Sequence, residues 1–155
     1  NKEVNTFFHE KKNWDIPFEL RKKITYDDWL NDKHLIIVAI RAGIPYSLFR
    51  LIQHYTPFTE NEWAELLDIS TKSLQRYRQH TNHHFKPLHS EKIIEMAEVT
   101  KVGLDVFEDM DKLKLWLKTS NFALGKLKPI ELLKDSYGKE MVIAELIRIN
   151  HGILV

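Results

Sequence analysis

The sequence predicts an all-α fold, and three observations carry that expectation. Apolar residues recur at spacings of three and four. No run alternates apolar and polar residues for long enough to make a strand. Helix start signals precede several of the apolar stretches, and only five glycines interrupt 155 residues.

Residues 1–33 are the hardest to read. They hold seven Lys/Arg and seven Asp/Glu, with Trp14, Phe18, Tyr26 and Trp29 interspersed. The expectation is an arm with one helix near Tyr26 to Trp29. Residues 34–42 are apolar nearly all round, as in a buried helix, and stop at Gly43. Pro45 opens the next helix, since a first turn has no use for the missing N–H. Leu48, Phe49 and Ile52 form its core face. Thr59 and Glu62 then make a T-x-x-E capping box, and Phe58 before the cap can staple onto Trp63. That helix runs to about Asp68, and Ser70 caps another through about His80.

A longer helix is expected over 90–108, with Ile93, Ala97, Thr100, Leu104 and Phe107 on its core face. A short helix carries Leu113, Trp116 and Leu117. Asn121 to Lys128 reads as a loop, and Pro129 opens a short helix with Ile130, Leu132 and Leu133. A Ser136-Tyr137-Gly138 break precedes the last helix, which aligns Val142, Leu146 and Ile149 and stops near Gly152. The organisation is an arm over 1–33, a paired-helix region with its long helix over 34–108, and a terminal helical domain over 109–155.

Composition narrows the chemistry. There is no cysteine, so disulfides, cysteine-ligated metals and a thiol nucleophile are excluded. The longest apolar run, Leu35 to Ile40, is too short to span a bilayer. Asn1-Lys2-Glu3-Val4 does not read as an export signal. The expectation is a cytoplasmic protein without a membrane partner. No G-x-S-x-G, P-loop or H-E-x-x-H occurs, and no enzyme activity, catalytic residue or cofactor is expected. The acidic pairs Asp27-Asp28 and Asp109 with Asp111 suit helix caps as well as catalysis.

The paired helices at 59–68 and 70–80 suggest a helix-turn-helix. Ala64 is the small residue that a crossing helix needs. Trp63, Leu67, Ile69, Leu74 and Tyr77 supply the apolar contacts. Asp68 stands where the turn usually has glycine, and aspartate tolerates a left-handed backbone better than most residues. The second helix presents Ser70, Thr71, Lys72, Gln75, Arg76 and Gln79 as candidate DNA-binding residues, types that read base edges or hold phosphates. From Ile69 through Ser90 there are four Lys/Arg and no Asp/Glu, although 23 basic residues nearly cancel 22 acidic ones over the chain. Such pairs also occur in bundles that never touch DNA, and the acidic first helix (Glu60, Glu62, Glu65) speaks for that alternative. His80, His83, His84 and His89 straddle a predicted helix end, which favours a solvated or phosphate-facing loop over a metal site; no metal is expected.

The segment from Leu115 to Val155 carries a more specific pattern. Trp116-Leu117, Asn121, Leu124-Gly125, Pro129, Leu132-Leu133, Gly138, Leu146, Arg148-Ile149 and Gly152 follow one another in an order and spacing that resembles the C-terminal toxin-binding domain of the Xre/MbcA/ParS antitoxin family. Lys126 stands where that family usually has a second glycine. Upstream, Gly43-Ile44-Pro45, Leu67-Asp68-Ile69-Ser70, Leu74, Arg76 and the 90–108 helix are similar as well, so the likeness spans about residues 40–155. The resemblance implies an antitoxin whose usual partner is a RES-domain, NAD-degrading toxin. It also implies binding to operator DNA, usually as a dimer. Arg148, Asn150, Gly152, Ile153, Leu154 and Val155 are the expected toxin-binding residues, with the apolar tail suited to a partner's cleft. The other reading is a stand-alone helix-turn-helix regulator whose terminal domain serves only dimerisation.

Overall fold

A computed structural model describes residues 2–10, 23–80 and 82–152. Ten α-helices and no strand occur among them. Trp14 and Phe18 lie outside the described residues, as do Ile153, Leu154 and Val155.

The described parts of 1–33 form two helices joined to the main core. Helix α1 (Lys2–Glu10) buries Val4, Phe7 and Phe8, a stripe at helical spacing. Ile24 returns beside it and donates its N–H to Asn5 Oδ1 at 2.6 Å. Helix α2 (Tyr26–Leu30) starts with a capping box between Thr25 and Asp28 and buries Trp29, whose ring lies edge-on to Phe8 and Tyr26. These apolar side chains join the main core, and the balanced surface charge of the segment hid that stripe.

Helix α3 (Lys33–Ala42) is capped by Asp32 and ends where Gly43 turns to φ +85. Its expected all-round burial fails at Ile37, which is 44% exposed because only the Leu35, Val38 and Ala39 face is fully covered. A Cβ at Gly43 would lie 2.6 Å from the Phe85 carbonyl oxygen, so glycine is needed for close approach as well as for φ. Helix α4 (Tyr46–His54) has Pro45 as its N-cap and buries Leu48, Phe49 and Ile52. Helix α5 (Glu60–Leu67) carries the full Thr59–Glu62 capping box, and Phe58 meets Trp63 edge-on at 5.4 Å between ring centroids. Helix α6 is Thr71–Gln79.

Helix α7 (Pro87–Phe107) is the axis of the molecule. It begins three residues before the expected start because Pro87 occupies its first turn. Ile93, Ala97 and Thr100 are buried as expected, while Leu104 and Phe107 are half-buried. Ile94, Met96 and Val99 are buried too, because α2 to α5, α8 (Met110–Leu117) and α10 (Ser136–Asn150) all pack against α7. One continuous apolar cluster runs from Val4 to Leu146.

Asp109 caps α8. The expected loop at 121–128 contains a 3-10 turn, Phe122–Leu124, closed by the Asn121 N–H on the Leu127 carbonyl at 2.9 Å. Helix α9 (Pro129–Leu132) follows. Ser136-Tyr137-Gly138 is not a break. It is the first turn of α10, with Asp135 Oδ1 accepting the Gly138 N–H at 2.7 Å. A Cβ at Gly138 would sit 1.8 Å from the Leu132 carbonyl oxygen, so the glycine permits a backbone crossing rather than ending a helix. Among the described residues no helix is long and apolar enough to cross a membrane.

Candidate functional site

The α5–α6 pair forms a tight turn through Asp68, whose φ of 54 and ψ of 47 are left-handed. The Ile69 N–H bonds the Ala64 carbonyl at 3.0 Å, and Ala64 itself is buried where the chain turns back. Leu74 is buried on α6 and Tyr77 half-buried, which sets the rotation of the helix.

That rotation exposes Ser70, Thr71, Lys72, Gln75, Arg76 and Gln79 together. Lys72, Gln75, Arg76 and Gln79 lie one turn apart along a single face. Ser70 is also the N-cap. Its Oγ accepts the Ser73 N–H at 3.0 Å and bonds Ser73 Oγ at 2.9 Å, so it is already engaged in holding the helix start. Arg76 lies with its guanidinium carbon 5.8 Å from the Tyr77 ring centroid.

The acidic first helix is partly neutralised from within the fold. Glu60 pairs with Arg78 at 3.8 Å, and Glu62 with Lys118 at 3.2 Å. Burial works against the charge on Glu62, but the Thr59 N–H and Lys118 outweigh it and hold the carboxyl below its ordinary value. Arg50 on α4 is a cation that the sequence reading passed over. It lines a cleft of about 500 Å³ with Tyr46, Ser47, His54 and Arg78, and with Glu3 of α1 as the one carboxylate among the lining residues. The Ser47, Arg50 and His54 spacing on one helix face was the signal that could have found it.

Within the histidine stretch, His83 packs into the fold, while His80 and His84 are exposed. The His83 ring stacks on Tyr77 at 3.6 Å and lies edge-on to Phe85. Burial, then His84, His89, His80 and Arg76, push its pKa down. Among the described residues no three His, Asp or Glu side chains gather as they would around a metal ion.

At the other end, Arg148 is half-buried, two residues beyond buried Leu146. It is engaged there by a two-pronged ion pair with the buried Glu145, Nε to Oε2 at 2.8 Å and Nη2 to Oε1. Asn150 and Gly152 are exposed, and Gly152 takes φ +65 after the last turn of α10. Lys92 on α7 ties this domain to the rest by donating to the Leu133 and Lys134 carbonyls at 2.8 and 3.0 Å. Lys126, in the family's glycine position, has φ +67 directly after Gly125 at φ +72.

Comparison with known proteins adds three findings. Residues 36–98 match the family described as antitoxin Xre-like helix-turn-helix domain. Residues 103–152 match the family described as antitoxin Xre/MbcA/ParS C-terminal toxin-binding domain. The structure is similar to a chain of the crystal structure of the M. tuberculosis MbcT-MbcA toxin-antitoxin complex, with a TM-score of 0.53 and 24% identity. The match covers 63% of this chain and 86% of that one, and it speaks for the fold. No curated protein matches.

Proposed function

The chain belongs to the Xre/MbcA/ParS antitoxin family, and from that premise we propose that it neutralises a RES-type, NAD-degrading toxin and represses its own operon as a cytoplasmic dimer. The observation that carries the reading is the toxin-binding domain over most of the terminal third of the chain. The RES identity of the toxin rests on the family resemblance of the motifs from Trp116 to Gly152. Operator binding rests on the single exposed face of α6, where Lys72, Gln75, Arg76 and Gln79 stand together.

Toxin neutralisation is assigned to the end of α10 and the residues after it. Asn150, Gly152, Ile153, Leu154 and Val155 would enter the toxin's cleft. Arg148 stands at their root, positioned by Glu145. An apolar segment rooted on a rigid helix loses little freedom on binding.

The test is co-expression with a RES-domain toxin, taken from the adjoining reading frame where one is found there. Cell growth and the intracellular NAD pool should both be preserved. NAD loss unchanged by the antitoxin, with no complex on co-purification, would overturn the reading and leave a stand-alone regulator. Replacing Ile153, Leu154 and Val155 by Asp should keep the complex but release NAD loss. Full protection by that variant would overturn the cleft assignment alone.

A further inference from the structure

Large apolar side chains are unevenly exposed on this molecule. Nine are exposed among the described residues, and six of them fall within 103–152, about a third of the chain. The extremes are Phe122 at 85% and Tyr137 at 82%. The 3-10 turn bearing Phe122 packs against α10, the helix that bears Tyr137 and, one turn on, Met141 at 48%. Leu127 is exposed at the other end of the closed 121–127 loop. Solitary exposed apolar residues need no explanation, but aromatic rings this bare on adjoining elements do.

The fold spends local structure on this display. Asn121 Oδ1 accepts the Ala123 N–H at 2.9 Å, and two successive left-handed residues, Gly125 and Lys126, close the loop that projects Phe122. Asp135 caps the turn that carries Tyr137. Neither ring contributes to the core, so folding does not require them to be aromatic.

Charge near the rings leans basic, most clearly around Phe122. From Lys112 to Glu140 there are seven lysines and three acidic residues, and Asp135 and Glu140 stand beside Tyr137. Two of these lysines are spoken for, Lys118 by Glu62 and Lys139 by Glu95 and Glu98. Lys126 and Lys128 flank exposed Leu127 and are themselves exposed. Bare rings with free lysines to one side are the pattern of a protein-docking patch, in which the rings supply affinity and the lysines supply steering.

We propose that Phe122 and Tyr137, with Met141 and Leu127 beside them, are the anchors that dock the toxin, and that the toxin meets them with an apolar hollow edged by carboxylates. This rests on the antitoxin reading above and deepens it. Docking on this face is separate from blocking the cleft with the residues after α10. One surface holds the partner, and the other silences it.

The experiment measures binding of the RES-domain toxin used in the co-expression test by calorimetry, using this chain and its Phe122→Ala/Tyr137→Ala variant. Thermal unfolding of the free variant should be unchanged, because neither side chain is buried. Its Kd should rise about tenfold or more, the loss expected for removing aromatic anchors. Lys126→Glu/Lys128→Glu should slow association and flatten its salt dependence. Binding of the ring variant within about twofold of wild type would overturn the docking face while leaving the antitoxin reading intact. Loss of DNA affinity with toxin affinity unchanged would also overturn it, by making the patch a nucleic-acid surface. A wild-type protein that does not bind the toxin overturns the antitoxin reading itself, and this inference with it.

Discussion

Ser90 and Ile44, 46 residues apart, meet in the core through one hydroxyl: Ser90 Oγ accepts the buried Ile44 N–H at 2.9 Å and donates to the Phe85 carbonyl at 3.1 Å. Phe85 N–H in turn bonds the Ile44 carbonyl at 2.8 Å, and Tyr46 N–H the His83 carbonyl at 3.0 Å. The stretch after α6 is thereby sewn to the turn before α4, and both are sewn to the start of α7.

Ser90→Ala breaks that junction. It leaves the Ile44 N–H buried without a partner, which costs about 1–3 kcal/mol. Urea denaturation should show the midpoint falling with an unchanged slope. An unchanged midpoint would mean that the hydroxyl is not what holds these segments together.

Lys126→Gly should stabilise the protein. A left-handed backbone costs a side-chain-bearing residue roughly 1–2 kcal/mol, and glycine returns part of this through its freer unfolded chain. The net gain expected is about 0.5–1 kcal/mol, read as a rise of about 1–4 °C in Tm. A Tm at or below wild type would contradict the argument.

Stability should fall as pH drops below about 6.5, and His83 supplies part of the slope. Its folded pKa lies below the ordinary 6.5, chiefly through burial. The unfolded chain therefore takes up the proton first. The contribution is complete above 6.5 and is lost as pH falls through the folded value. His83→Phe keeps a flat ring against Tyr77 and removes the titration. Its unfolding midpoint should vary less with pH than that of wild type. A residual slope is expected from His89, whose pKa burial also lowers. Identical pH profiles for the two proteins would contradict the assignment.

Operator binding should separate base reading from phosphate holding on α6. Arg76→Ala should lose about 1–3 kcal/mol of discrimination between the promoter and a scrambled duplex. Lys72→Ala should weaken both duplexes alike and reduce the salt slope by about one. Fluorescence anisotropy across a salt series reads both quantities. Wild-type affinity and specificity in Arg76→Ala would remove that residue from the interface.

What could be read in the sequence was local. The Thr59–Glu62 box, the Phe58–Trp63 staple, the Ser70 cap and the Asp68 turn each depend on residues within five positions of one another. Their chemistry therefore survives without knowledge of the fold. The exposed face of α6 followed too, because Leu74 and Tyr77 fix its rotation by helical period. The Arg148–Glu145 pair is local as well, yet spacing alone does not show that the carboxylate is buried and committed to that arginine.

Other features needed the tertiary structure, because their determinants are distant in the chain. Val4, Phe7 and Phe8 are core residues only because α4 and Trp29 come to meet them. Gly138 reads as a break until the Leu132 carbonyl is seen where its Cβ would be. Phe122 and Tyr137 have the composition of core residues, and nothing in their spacing says that no helix covers them. The sequence by itself determined where helices start, turn and present a period. Tertiary structure decided which apolar faces find partners and which stay bare, since burial depends on what the rest of the chain brings alongside.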